Sequence, residues 1–273
     1  MKRIVFAVMI AAALLSLGCQ REGGRARGRA QEGAPSAIEI GGSTSVVPVL
    51  ELLSGNFQSI NPNARINIHS TGSSDGIRNA GVLYQFGMTS RELTPAELGM
   101  GLNQQIIAID GIAVIVNASS PITNLTLEQI RGIYTGEITD WSQVSAVKSG
   151  AIAVVTREEG SGTRGAFEEM VGFPGQLRLG AVEGPSTGAV RSNVAGNPNA
   201  IGYISVGSID GSVRAISVDG VEPTAENMLA GAYGIARPFI LLYRNLPAAS
   251  REFLDWVIGD GQAFVARSWV PIN

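Results

Sequence analysis

The chain has 273 residues, of which only 16% are charged, and it contains 35 glycines. That length can bury a substantial core, as one large domain or two modest ones, and the composition excludes a disordered or coiled-coil chain. Residues 1–37 hold six of the 20 basic and two of the 23 acidic side chains. The remainder is net negative by seven, which argues against nucleic acid or another polyanionic polymer as partner.

The N-terminus reads as a separate object. Lys2 and Arg3 precede an apolar run from Ile4 to Leu17, then Gly18 and Cys19. A short basic start followed by an apolar stretch of this length is the pattern of a secretory signal, and the run is short for a membrane span. Cys19 is the only cysteine, so no intramolecular disulfide can form. Leu15-Ser16-Leu17-Gly18-Cys19 resembles a bacterial lipobox, departing from it at Ser16, where an aliphatic residue is usual. The expectation is a lipoprotein signal peptide over 1–19, with Cys19 lipidated and the chain exported to the cell envelope on a lipid anchor. An alternative is an ordinary cleavage site with an incidental cysteine. Residues 20–37, rich in Arg, Gly, Ala and Glu and without apolar periodicity, read as a flexible tether.

Beyond the tether, β-like and helix-like segments alternate. Strands are expected at Ile38–Ile40, Arg65–His69, Ile106–Val116, Ala151–Val155, Ala200–Ile204, Val213–Val218 and Phe239–Tyr243. Val46, Val49, Leu50, Leu53 and Phe57 share one helical face, as do Phe253, Trp256 and Val257. Thr94-Pro95-Ala96-Glu97 and Thr126-Leu127-Glu128-Gln129 fit the capping box, in which a threonine and an acid or amide three residues on satisfy two free amides. Such alternation implies an α/β fold with largely parallel sheets.

Three segments share one design, an apolar strand, a Gly/Ser/Thr turn and a helix with an apolar face. They are Ile38–Ser45 leading into Val46–Phe57, Ile66–Gly76 leading into Ile77–Leu83, and Val154–Thr163 leading into Arg164–Val171. Each turn sets unpaired backbone amides and hydroxyls at a helix N-terminus, where partial positive charge favours an anion. One such loop is ordinary helix capping. Three, one of them carrying Arg157, point to a tetrahedral oxyanion held mainly by neutral donors.

The P-loop signature G-x-x-x-x-G-K-[ST] is missing, and Gly160-Ser161-Gly162 does not have the G-x-S-x-G spacing of a hydrolase nucleophile. With one histidine (His69, in an alternating strand) and one cysteine, triads, dyads and soft-metal sites are nearly excluded. No catalytic residue, metal or cofactor is therefore expected.

At Gly41–Val46, Gly72–Ile77, Gly87–Leu93 and above all Thr156–Phe167 the chain resembles the phosphate-binding protein family of bacterial phosphate ABC importers. The likeness extends over the folded part, through Asp110–Asn117, Leu125–Trp141, Asn197–Tyr203, Val218–Thr224 and the ending Val270–Asn273. It implies a two-lobed periplasmic-binding-protein fold of type II, each lobe a mostly parallel sheet flanked by helices, joined by two crossover strands. One lobe would comprise 38–112 plus 237–273 and the other 113–236. The implied function is capture of inorganic phosphate in the cleft and delivery to the permease subunits of an importer, by a monomer with no enzymatic step. Another oxyanion (sulfate or molybdate) is the alternative ligand, and an envelope phosphatase or an adhesive lipoprotein the alternative class.

The resemblance assigns Thr44, Ser45, Ser73 and Ser74 as donors from one lobe, and Arg157, Ser161, Gly162 and Thr163 as the contact set from the other. Glu159 is implied as the orienter of Arg157, or else is a solvated first-turn acid, and Arg164 is free to face solvent. In Gly87-Met88-Thr89-Ser90-Arg91-Glu92-Leu93 a serine stands where well-known members carry an aspartate that accepts the phosphate proton. Ser90 is accordingly expected to touch the oxyanion and Arg91 to add positive charge. The acceptor is then Asp75 or a backbone carbonyl, Asp75 being equally readable as an ordinary early-helix acid.

Overall fold

A computed structural model describes residues 37–272. The expected signal peptide with Cys19, and all of the expected tether except Ala37, lie outside the described residues. The strands are β1 (Ile38–Gly42), β2 (Ile66–Ser70), β3 (Phe86–Thr89), β4 (Asn103–Asn117), β5 (Asn124–Leu125), β6 (Ala153–Arg157), β7 (Val182–Gly184), β8 (Ala200–Ser205), β9 (Val213–Ala215), β10 (Ser217–Val218) and β11 (Ala236–Tyr243). The helices are α1 (Val47–Ile60), α2 (Ser73–Asn79), α3 (Pro95–Leu98), α4 (Leu127–Thr135), α5 (Gly162–Val171), α6 (Thr187–Ala195), α7 (Ala225–Leu229), α8 (Ala248–Ile258) and α9 (Gln262–Val265).

The main sheet runs β2-β1-β3-β11-β4-β8-β6-β7, with β9 also paired to β4, and β10 and β5 form a separate two-stranded sheet. The outer pairings β1–β2, β1–β3, β6–β7 and β6–β8 are parallel. The central ones, β3–β11, β11–β4 and β4–β8, are antiparallel. The long strand β4 changes partner along its length: Asn103–Gly111 pairs with β11, and Ile112–Val116 with β8. This mixed α/β arrangement with flanking helices is the two-lobed fold the sequence points to.

Strand periodicity explains how β4 and β11 sit in the middle. Successive side chains point to opposite faces, and both faces are covered along β11 and along β4 from Ile107 onward, which is why these stretches read as largely apolar runs. Ile112, Val114 and Val116 enter a core with Tyr134, Trp141, Phe167 and Tyr203. The intervening Ala113 and Ile115 enter another with Val155, Val190 and Val194. In β11, Phe239 and Leu241 pack with Leu53, Phe57 and Phe253, while Ile240 and Leu242 pack with Ile77 and Leu93.

All five residues of the apolar face predicted from Val46 to Phe57 are buried. The capping boxes at Thr94–Glu97 and Thr126–Gln129 both form. The expected strand Val213–Val218 is divided at Ile216, because Val213–Ala215 pairs with β4 and Ser217–Val218 with β5. Strands β3, β5 and β7 are additions; each has at most four residues, too few for an alternation to register. No helix among the described residues is long and apolar enough to cross a membrane.

Backbone contact sets the position of α2. A methyl group on Gly76 would lie 2.7 Å from the carbonyl oxygens of Gly41 and Met88 and 2.8 Å from Gly42 Cα. Only a glycine lets α2 rest on β1 and β3 so closely that Ser73 is carried against the ends of those strands. Gly76→Ala is expected to lower the unfolding free energy by about 2 kcal/mol, measured by urea denaturation.

Candidate functional site

The turns at the carboxyl ends of β1, β3 and β6 and the N-termini of α2, α5 and α6 meet in one buried polar cluster, the location expected of a ligand site in an α/β sheet. From the first half of the sheet come Ser43, Thr44, Ser45, Ser73 and Ser90, and from the second Arg157, Ser161, Thr163 and Thr187, all buried. Hydrogen bonds cross between the halves: Ser45 Oγ to Thr163 Oγ1 at 2.6 Å, and Thr44 Oγ1 to Thr187 Oγ1 at 3.0 Å. Thr187 N–H donates to Thr44 Oγ1 at 3.2 Å. Gly162 closes over the opposite loops so tightly that a methyl group there would collide with Ser73 Oγ.

Arg157 ends β6 with its side chain 2% exposed. Its backbone N–H donates to Tyr203 Oη at 3.3 Å, and that ring stacks on Phe167 of α5 at 4.0 Å between centroids. The guanidinium therefore leaves a rigid aromatic base. Its Nε and Nη2 edge donates to Glu158 at 2.8 and 2.7 Å, and Nη1 reaches Thr187 Oγ1 at 3.3 Å. One edge is neutralised and Nη1 faces the hydroxyls. At the start of α5, Ser161 Oγ accepts from Arg164 N–H at 3.3 Å. The first-turn amides of Gly162 and Thr163 have no carbonyl one turn back in the helix.

The structure brings together most of the expected residues: Thr44, Ser45, Ser73, Ser90, Arg157, Ser161, Gly162 and Thr163. Ser74 is at the edge, its N–H donating to Gly160 O across the two halves at 3.2 Å. Four expectations need correction. The acid on Arg157 is Glu158, because the chain turns immediately after β6, with Ser161 N–H donating to Glu158 O, and leaves Glu159 exposed. Arg91 is turned away: its Nη1 and Nη2 hold Glu97 at 2.7 and 2.8 Å. Asp75 accepts instead from Asn79 Nδ2 at 2.8 Å and Tyr84 Oη at 3.0 Å, outside the hydroxyl cluster. Arg164 is only partly exposed and is engaged by Glu168, Glu183 and the Arg157 carbonyl. His69 pairs with Glu39 on the surface.

Sequence reasoning missed Ser43, Thr187 and the pair Asp110–Arg237. Val182-Glu183-Gly184-Pro185-Ser186-Thr187-Gly188 is a fourth strand, turn and helix start of the same design, so Thr187 carried the same signal as the other three loops. Asp110 and Arg237 interrupt apolar strands covered on both faces, where a charge requires a partner. Both are buried, with Arg237 Nη2 3.2 Å from Asp110 Oδ2. Asp110 Oδ1 accepts from Ser205 at 2.7 Å. Burial pushes the Asp110 carboxyl up, against the opposing pull of Arg237. Among the described residues no group of three or more His, Cys, Asp and Glu could hold a metal ion.

The family model of the PBP superfamily domain matches residues 29–261. A crystal structure, with phosphate bound, of a substrate-binding protein assigned to phosphate ABC transport in Clostridium perfringens is 42% identical. It superposes with a TM-score of 0.84 over 87% of this chain and 100% of that one. An ABC-type phosphate transport receptor from Vibrio cholerae is 35% identical, with a TM-score of 0.70 over 86% of this chain and 100% of that one. Among curated proteins, the phosphate-binding protein PstS of Borreliella burgdorferi is 27% identical over 97% of this chain and 96% of its own length.

The corrected role of Arg91 has a measurable consequence. Hydrogen bonds from Arg91 hold the Glu97 carboxyl down to about 2, against burial. A depressed carboxylate stabilises the fold fully above its unfolded value and loses that stabilisation as pH falls through the folded one. Arg91→Ala is expected to cost about 1 kcal/mol at neutral pH, a value reduced by the pair's partial exposure. In urea denaturation the difference from wild type should shrink steadily as pH falls toward 2.

Proposed function

The chain belongs to the PBP superfamily, among its PstS-like phosphate-binding members, and on that footing we propose that it captures inorganic phosphate between its lobes for an ABC importer. The observation that carries the reading is the buried cluster of hydroxyls from both halves of the sheet around Nη1 of Arg157. Neutral donors at helix N-termini can hold a dianion inside a net-negative protein because the field that matters is local. Thr44, Ser45, Ser73, Ser90, Arg157, Ser161, Gly162 and Thr163 form the contact set, joined by Thr187, and Ser74 lines its edge. The lobes are assigned as 38–112 plus 237–273 and 113–236, in keeping with separate apolar cores on the two sides of the sheet centre.

Delivery to permease subunits, by a monomer held to the outer face of a membrane through lipid on Cys19, completes the proposal. The signal-like sequence of residues 1–19 supports the anchor. A second reading, sulfate as ligand, is favoured by one observation: among the described residues no carboxylate hydrogen-bonds a cluster hydroxyl, so none of them offers a strong acceptor for a ligand proton.

Calorimetric titration of ligand-stripped protein tests the reading. Phosphate is expected to bind one to one, and Arg157→Ala to abolish measurable binding. Glu158→Gln should weaken it about tenfold by loosening the guanidinium, while Glu159→Gln should leave it unchanged. Sulfate binding in the absence of phosphate binding would sink the phosphate assignment and leave the fold intact. For the anchor, Cys19→Ala is expected to move the protein from the membrane to the soluble envelope fraction; unchanged membrane association would remove lipidation from the account.

A further inference from the structure

Arg237 is a second buried cation at the wall of the cluster, and its contacts define what Ser90 can offer a ligand. Its Nη1 donates to Ser90 Oγ at 3.2 Å and to Ser90 O at 3.2 Å. Ser43 Oγ also donates to Ser90 Oγ, at 2.8 Å. A serine hydroxyl has two acceptor lone pairs and one proton. With both lone pairs filled, the one hydrogen bond Ser90 has left to give is through that proton. The remaining hydroxyl in contact with it, Ser73 Oγ, is 3.5 Å away and already accepts from Ser90 N–H at 3.3 Å.

The source of this bias is well fixed. Arg237 lies opposite Asp110 in the β11–β4 pairing and is bound to it through Nε and Nη2. Asp110 is held from the other side by Ser205 of β8. The Arg237 guanidinium also lies against the Phe239 ring, 5.5 Å from its centroid. A wholly buried ion pair with its carboxylate tied to a third strand resists rearrangement, because separating it would leave two uncompensated charges.

We propose that Arg237, oriented by Asp110, is a specificity-determining positioning residue: it fixes Ser90 as an obligate hydrogen-bond donor, so that this point of the site takes an unprotonated oxyanion oxygen. Phosphate and sulfate are then held alike at Ser90, and discrimination between them has to come from elsewhere in the cluster. The inference rests on the oxyanion-binding reading above.

Competitive titration with phosphate and sulfate tests it in three proteins: wild type, Ser90→Ala, and the double variant Asp110→Asn with Arg237→Met. Ser90→Ala keeps the ion pair and removes only the hydroxyl. It is expected to weaken both anions by the same factor, about tenfold, leaving their ratio unchanged. The double variant returns a lone pair to Ser90 without stranding a buried charge. It is expected to raise the phosphate-to-sulfate affinity ratio about fivefold, a shift that mere loosening of the fold would not produce. A Ser90→Ala protein that loses phosphate affinity selectively, or loses neither, overturns the proposal, as does a folded double variant with an unaltered ratio. If the double variant does not fold, Ser90→Ala decides alone. Wild-type protein that binds sulfate and not phosphate overturns the phosphate assignment instead, and the sulfate affinity of Ser90→Ala then tests the donor role.

Discussion

A guanidinium withdrawn from water must be matched by negative charge, and the site is organised around how Arg157 meets that constraint. Glu158 takes the Nε and Nη2 edge in a two-point contact, the geometry in which arginine and carboxylate bind most strongly. Nη1 is left facing Thr187 and the hydroxyl cluster. The cation is thus present but largely neutralised before any ligand arrives. Under the proposed function, the rest of an oxyanion's charge falls to serine and threonine hydroxyls and to the amides that begin α2, α5 and α6. These dipoles lie where the fold already holds them, so little reorganisation is required on binding.

That arrangement works only if backbone from the two halves of the sheet comes very close, which explains where glycine is indispensable. Gly76 lets α2 rest on β1 and β3, and Gly162 lets the start of α5 face Ser73 and Ser90. Between these loops run β4 and β11, apolar on both faces and buried in separate cores on each side. Close packing of this kind transmits position rather than absorbing it. The hydroxyls of one half are therefore placed relative to the other by the strands beneath them, and the aromatic stack of Phe167 on Tyr203 does the same for Arg157.

The parts of this design that were legible in the sequence are local or periodic. The helical face from Val46 to Phe57, two capping boxes and the run that becomes β4 could each be read because burial periodicity and cap chemistry operate within a few residues. So could the three anion-like turns, since strand end, glycine and hydroxyl are contiguous. The choice between Glu158 and Glu159 was not legible: two acids one residue apart differ only in how the turn after β6 aims them. Arg91 was misplaced, and Asp75 left between two readings, for a related reason: their partners Glu97, Asn79 and Tyr84 satisfy them locally. Arg237 lies 147 residues from Ser90 and 127 from Asp110. Only the pairing of β11 with β4 brings them together, although a charge in each of two doubly covered strands was itself a sign that they needed one another.

The two buried arginines differ in a way that separates their roles. Glu158 retains 29% side-chain exposure, so when a dianion arrives beside Arg157 its carboxylate can turn partly toward water and ease the repulsion. Asp110 is 0% exposed and has no such outlet. Drawing Arg237 from it to meet a ligand would strand a carboxylate in the interior, a cost that exceeds what one further contact returns. Under the proposed function Arg157 is consequently the cation that can share its hydrogen bonds with a ligand, while Arg237 stays with its acid and acts through Ser90. The division follows from solvent access to the two acids, and it places the adaptable charge at the end of β6 and the fixed charge across the paired strands β11 and β4.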